Sequence, residues 1–123
     1  MRPFIGALSH IGDPMAFNIE ISDTVKFAVK FNIKDGQGVD KPSSFDFIAA
    51  RVDVDEYKDI LEGGTTFADF LARVGRGWDN VRDGNGAPVE YSEVSLRKIC
   101  KIAGMATLMF KLYGVEVSAK EKN

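Results

Sequence analysis

A chain of 123 residues has the length of one domain, and on folding it buries roughly two thirds of its unfolded surface, enough for one core but not for a deep, separately enclosed active site. Hydrophobic residues make up 45% and charged residues 28%, an ordinary globular balance, and a net charge of -2 gives no electrostatic reason to expect nucleic acid as a partner. The single cysteine, Cys100, excludes an internal disulfide and suits a reducing compartment; no stretch approaches the roughly 20 apolar residues that span a bilayer, so a cytoplasmic protein without a membrane partner is expected.

Residues 1–15 carry Pro3, Gly6, Gly12 and Pro14 without a clear period and without a secretory leader, which reads as an irregular arm. Its apolar residues Phe4, Ile5, Leu8 and Ile11 exceed what a solvated tail needs, and they are expected to dock on this chain or on a neighbour. Over 16–52 the period is two. Phe17, Ile19 and Ile21 alternate with polar residues, and after Ser22-Asp23-Thr24 the alternation resumes with Val25, Phe27, Val29, Phe31 and Ile33 opposite Lys26, Lys30, Asn32 and Lys34. Asp35-Gly36-Gln37-Gly38, followed by Asp40 and Pro42, reads as a loop, and Phe45 to Val52 as a second strand. An antiparallel hairpin with a basic outer face is the simplest arrangement.

The part from 53 to 117 reads as helical. Asp53 and Glu56 have capping-box spacing, with Val52 placed to staple onto Tyr57, and Gly63-Gly64 ends the first helix. Thr65 or Thr66 caps a second helix whose Phe67, Phe70, Leu71 and Val74 form one apolar stripe, ended by Gly75 and Gly77. A compact connection follows, with Asp83-Gly84-Asn85-Gly86 at its tip, a small hairpin or omega-like turn that Trp78 is expected to hold down as a structural anchor. Ser92 caps a third helix with Leu96, Ile99, Cys100 and Ala103 on one face, and Met105 to Tyr113 makes a fourth that is apolar on almost every side. Residues 118–123 are a charged tail. Strands followed by helices predict an α+β fold, an N-terminal antiparallel β-hairpin or meander followed by about four short α-helices in a single domain over 1–123.

Catalytic chemistry finds little to work with. The only histidine, His10, lies in the arm, away from any serine or cysteine that it could activate. One cysteine and one histidine do not make a zinc site. Asp79, Asp83, Gly84 and Glu90 match four positions of a calcium loop, but Val81 stands where an oxygen ligand belongs and Pro88 where a helix should begin. Gly75, Gly77, Gly84 and Gly86 lack the lysine-serine or lysine-threonine pair of a phosphate loop, and Asp53 and Asp55 are accounted for by capping and the helix dipole. No catalytic, cofactor-binding or metal-binding residue is nominated, and a non-enzymatic protein is expected. Hydrophobic surface is what remains. Met105, Leu108, Met109, Phe110, Leu112 and Tyr113 surround the fourth helix, which must then be either a central helix or one covered by another chain. On the second reading Met105, Leu108, Met109, Leu112 and Tyr113 are the candidate protein-binding residues.

From Thr66 onward the chain resembles the tail assembly chaperones of long-tailed bacteriophages. The resemblance rests on Phe67-Ala68-Asp69-Phe70-Leu71, Gly77-Trp78-Asp79-Asn80-Val81, Asp83-Gly84-Asn85-Gly86, Pro88-Val89-Glu90-Tyr91-Ser92, the helix with Leu96, and the terminal Lys122-Asn123. It covers nearly half of the chain, and the long arm is not part of it. The resemblance implies an assembly factor of the host cytoplasm, absent from the finished virion, that keeps the tape measure protein soluble, helps tail tube protein polymerise around it and self-associates as a homo-oligomer. Many such genes also encode a longer frameshifted form. The resemblance carries no catalytic residues. Two other readings stand beside it: a structural virion protein such as a tail-completion or head-tail joining component, told apart by copurification with finished particles, and a small-molecule-binding or enzymatic domain, told apart by a closed pocket with convergent polar groups.

Overall fold

The computed structural model describes residues 16–19 and 21–118; the arm at 1–15, with His10, and the tail residues 119–123 lie outside this range. The elements in chain order are β1 (Thr24–Lys34), β2 (Asp40–Ala50), α1 (Val54–Glu62), α2 (Phe67–Val74), β3 (Gly75–Asp79), α3 (Glu93–Cys100) and α4 (Met105–Val117). The strands form one antiparallel sheet in the order β1-β2-β3, and the helices cover one of its faces. The architecture is α+β, as the period change near residue 52 predicts.

The alternation of β1 sorts its side chains between the two layers. Val25, Phe27 and Val29 are buried, whereas Lys26, Lys30 and Lys34 stand exposed on the open face. In β2, Phe45, Phe47 and Ala49 point the same way as the buried set of β1, with Phe27 paired to Phe47 and Val29 to Phe45 in the ladder. On the open face Lys26 reaches across β2 to Asp79 at 2.8 Å. The hydrogen bond and charge of that carboxylate raise the Lys26 pKa, but the pair is solvated and adds little to stability.

Three expectations about the sheet need correction. The strand part expected over 16–52 is shorter, because residues 16–19 and 21–23 are not strand. Thr24 already pairs with Ala50, the last residue of β2, so among the described residues no strand pairs with the alternating residues before it. Phe17 and Ile19 are accordingly 79% and 81% exposed. Asp40 and Pro42, read as loop, belong to β2; β3 reaches only Asp46 to Ala49, and Pro42 is tolerated where one edge of the strand is unpaired. Gly75 and Gly77 do not simply end a helix but lie in β3. Gly75 is required there by close approach, since a Cβ would fall on the Tyr91 hydroxyl and 2.9 Å from the Leu71 carbonyl oxygen.

One four-residue code, Asp-Gly-x-Gly, makes the same turn twice. The Asp35 carboxylate accepts from the N–H groups of Gln37 and Val39 at 2.8 and 3.0 Å, and that of Asp83 accepts from Asn85 and Ala87 at 2.8 and 3.0 Å. Gly38 and Gly86 both take φ of 81°, a left-handed conformation that glycine adopts without a Cβ penalty. The first turn joins β1 to β2; the second closes a miniature hairpin, with Val89 N–H donating to the Val81 carbonyl at 2.8 Å. The calcium-like spacing around Asp83 is thus a turn whose carboxylate already serves its own backbone.

Side-chain caps start three of the helices. Asp53 accepts from Glu56 N–H at 2.8 Å, Thr66 from Asp69 N–H at 3.1 Å and Ser92 from Ser95 N–H at 3.1 Å, each satisfying one orphan donor of a first turn. Between α2 and α3, Arg97 bridges Asp69 at 2.9 Å and Glu93 at 3.0 Å, and its hydrogen bond holds the Asp69 carboxyl below the usual carboxylate range. α3 is shorter than its apolar face suggests, ending at Cys100, so that Ala103 is exposed in the turn before α4. Half burial pushes the Cys100 thiol upward, away from the reactive thiolate form.

Candidate functional site

α4 was the element with a surplus of apolar side chains, and its packing decides which of them another chain could touch. Met105, Met109 and Tyr113 recur every fourth residue and are 4%, 0% and 0% exposed. These three nominated residues belong to the core of the chain, not to its surface. The next side chain round the helix, Phe110, packs among helices: it stacks on Phe67 with centroids 4.3 Å apart and on Tyr57 at 5.7 Å, and meets the edge of Phe70 at 5.1 Å. Leu108 and Leu112 are half-buried, and of the five nominated residues they are the ones with appreciable accessible surface.

Tyr113 ties the helical layer to the end of the sheet. Its hydroxyl donates to the Ala50 carbonyl at 2.7 Å and accepts from the Val52 N–H at 3.1 Å, while its ring meets Phe27 and Phe70 edge-on. Burial pushes the phenol pKa up, which suits a neutral hydroxyl that both donates and accepts. Tyr113→Phe keeps the ring and deletes both bonds, leaving a carbonyl and an N–H unpaired in a part-buried site. A loss of about 1–3 kcal/mol in urea unfolding is expected. A loss well under 0.5 kcal/mol, measured against the roughly 1 kcal/mol of an ordinary hydrogen bond, would mean that water replaces the hydroxyl freely.

Trp78 fastens the miniature hairpin. It is 8% exposed, its indole N–H donates to the Val89 carbonyl at 2.8 Å, and its rings meet Tyr91 at 5.1 Å and Phe45 at 6.3 Å, both edge-on. Its aromatic partners therefore come from β2 and from the hairpin's return arm. Asn80 completes the corner: it takes φ of 69°, and its side-chain amide donates to the Ser44 carbonyl at 3.0 Å.

This corner forms one wall of an apolar groove of about 450 Å³. Phe31, Phe45, Val81, Ile99, Ile102 and Met105 supply its carbon surface, and Ser43, Ser44, Asn80 and Arg82 its polar rim. A smaller groove of about 180 Å³ adjoins it along Phe31, Ile33 and Leu108. Ile102 is the residue that sequence reasoning missed. It sits in the α3–α4 turn, 42% exposed, just before Gly104 with φ of 83°. The available signal was a β-branched apolar residue between two helix ends, where the core does not reach. A further groove of about 320 Å³ lies at the Val52, Tyr57 and Val117 end, beside Val54, which is 80% exposed. Such carbon-lined grooves with a serine and asparagine rim suit the burial of another chain's apolar side chains. Among the described residues no group of three His, Cys, Asp or Glu side chains is placed to hold a metal ion, and no helix is long and apolar enough to cross a membrane. No family model, curated protein or solved structure matches the chain.

Proposed function

We propose that the chain is a tail assembly chaperone of a long-tailed bacteriophage, a non-enzymatic protein of the host cytoplasm. In this reading it self-associates, holds apolar helical stretches of the tape measure protein in solution and helps tail tube protein assemble around them. The observation that carries the reading is the apolar groove between the β1–β2 tip, the miniature hairpin and the α3–α4 turn, because helix-in-groove binding needs adaptable carbon surface and no reacting group. The residues that carry the resemblance support it as a set. Trp78, Val89 and Tyr91 lock together, and Ser92 then caps α3, so the ordered pattern from Gly77 to Ser92 corresponds to one structural unit.

The test is co-expression with a tape measure protein of a long-tailed bacteriophage. The wild-type chain is expected to keep that protein soluble and to copurify with it. Ile102→Asp places a charge on the groove wall without entering the core; it should stay folded by circular dichroism and weaken capture by at least about tenfold, since a carboxylate buried unpaired in the interface costs several kcal/mol. Tape measure protein that is equally insoluble with and without the chain would end the chaperone reading. Recovery of the chain in finished particles would favour a tail-completion or head-tail joining role instead.

A further inference from the structure

β1 lies at the edge of the sheet, and its backbone is only half used. Asp35 N–H donates to the Val39 carbonyl and Arg51 N–H to the Asp23 carbonyl, which sets the odd-numbered positions as those bonded to β2. In an antiparallel ladder the alternate residues then point their N–H and C=O groups outward. These are Lys26, Ala28, Lys30 and Asn32, and among the described residues no strand pairs with that edge. Beside it runs an apolar row. Leu108 lines a groove with Phe31 and Ile33, Ile33 is 37% and Val115 53% exposed, and Leu112 continues the row one turn on from Leu108. Unpaired amides alongside apolar side chains are what an added strand requires, provided that its side chains alternate.

The chain itself contains a segment with that alternation. In residues 17–21, Phe17, Ile19 and Ile21 alternate with Asn18 and Glu20, and the three apolar side chains are 79%, 81% and 55% exposed. The charges also match. Lysines protect exposed edges by repelling or solvating incoming strands; here Lys26 and Lys34 are held by Asp79 and Asp40, whereas Lys30 between them has no carboxylate partner among the described residues. An incoming strand with its apolar set toward α4 turns its polar set, which includes Glu20, toward that lysine row. The segment is poorly placed to reach its own β1. The carbonyls of Ser22 and Asp23 are held by Arg51, through Nε at 3.2 Å and N–H at 2.8 Å, so the chain enters β1 along the strand's own line rather than from its side.

We propose that residues 17–21 of one copy add as a fourth strand to the free β1 edge of a second copy. This rests on the self-association in the reading above and not on its client. Each copy then carries one donor and one acceptor, and the contact propagates head to tail or closes on itself.

Two full-length variants separate the halves of the contact. Ile19→Asp/Ile21→Asp spoils the donor at exposed positions. Ala28→Pro removes an outward N–H and sets a ring against the acceptor edge while leaving the β2 ladder its bonds. Light scattering over a concentration series should find wild type larger than a monomer, each variant alone monomeric with wild-type circular dichroism, and an equimolar mixture forming a one-to-one pair. A donor variant that associates like wild type overturns the inference and leaves self-association by another surface standing. A monomeric wild type overturns both. Should Ala28→Pro fail to fold, the donor variant alone decides the matter.

Discussion

Met109→Asp is expected to leave no folded chain. The side chain is 0% exposed and belongs to the core cluster with Phe27, Phe70 and Tyr113, so the carboxylate would have to be buried without a partner or hold its proton at neutral pH. Either course costs several kcal/mol, which compares with the roughly 5–15 kcal/mol that holds a domain of this size together. The contrast that gives the result meaning is Leu112→Asp, three residues on, where the half-buried side chain lets the charge turn to water. Circular dichroism and urea titration should find the first variant unfolded and the second folded with a lower midpoint. A folded Met109→Asp would mean that this face of α4 is open in solution, and the assignment of Met105, Met109 and Tyr113 to the core would fail.

The second large effect is expected at Trp78. β3 has five residues, two of them glycine, and Trp78 is the one side chain of that strand buried in the core. Trp78→Ala removes the edge contacts with Phe45 and Tyr91 and leaves the Val89 carbonyl without its donor. A cost of about 3–5 kcal/mol follows from the large-to-small rule. With a urea slope of about 1–3 kcal/mol/M the midpoint should fall by at least about 1 M. Circular dichroism must report it, because the variant lacks the only tryptophan. A folded protein with an unchanged midpoint would make Trp78 a dispensable surface residue.

How far the fold was legible differs from element to element for physical reasons. β1 was readable because five apolar residues alternate with lysines and asparagine over a two-sided sheet. β3 was not, since Gly-Arg-Gly-Trp-Asp has neither length nor period, and only its pairing with residues near Phe47 makes it a strand. The alternation of Phe17, Ile19 and Ile21 shows the opposite error: periodicity says how a segment would pair but not whether a partner lies beside it. α4 posed the same difficulty in helical form. A helix apolar all round has too much surface for one neighbour, but this one meets β1, α2 and α3, and its Phe110 ring also stacks on Tyr57 of α1. Of those neighbours only α3 adjoins α4 in sequence, and β1, α1 and α2 are distant, so no local pattern reveals the full set. The groove was hidden for a related reason, because its walls come from the β1–β2 tip, the miniature hairpin and the α3–α4 turn. What local chemistry did reveal were the caps, since Asp53, Thr66 and Ser92 each bond an N–H three residues away.

α1 has one buried side chain, Ile60, and otherwise leans on the half-buried ring of Tyr57. Its Asp55, Glu56, Asp59 and Glu62 are exposed, and four carboxylates on nine residues repel one another whenever the helix forms. Amide hydrogens here should therefore exchange with solvent through a local opening that leaves the sheet and α4 intact, at a free energy well below that of global unfolding. Raising salt should slow this exchange selectively by screening the repulsion, whereas the amides of β2, bonded on both sides over Asp46 to Ala49, should exchange only when the whole chain unfolds. An α1 that exchanged as slowly as β2 would show that the protein opens as one cooperative unit and not in parts.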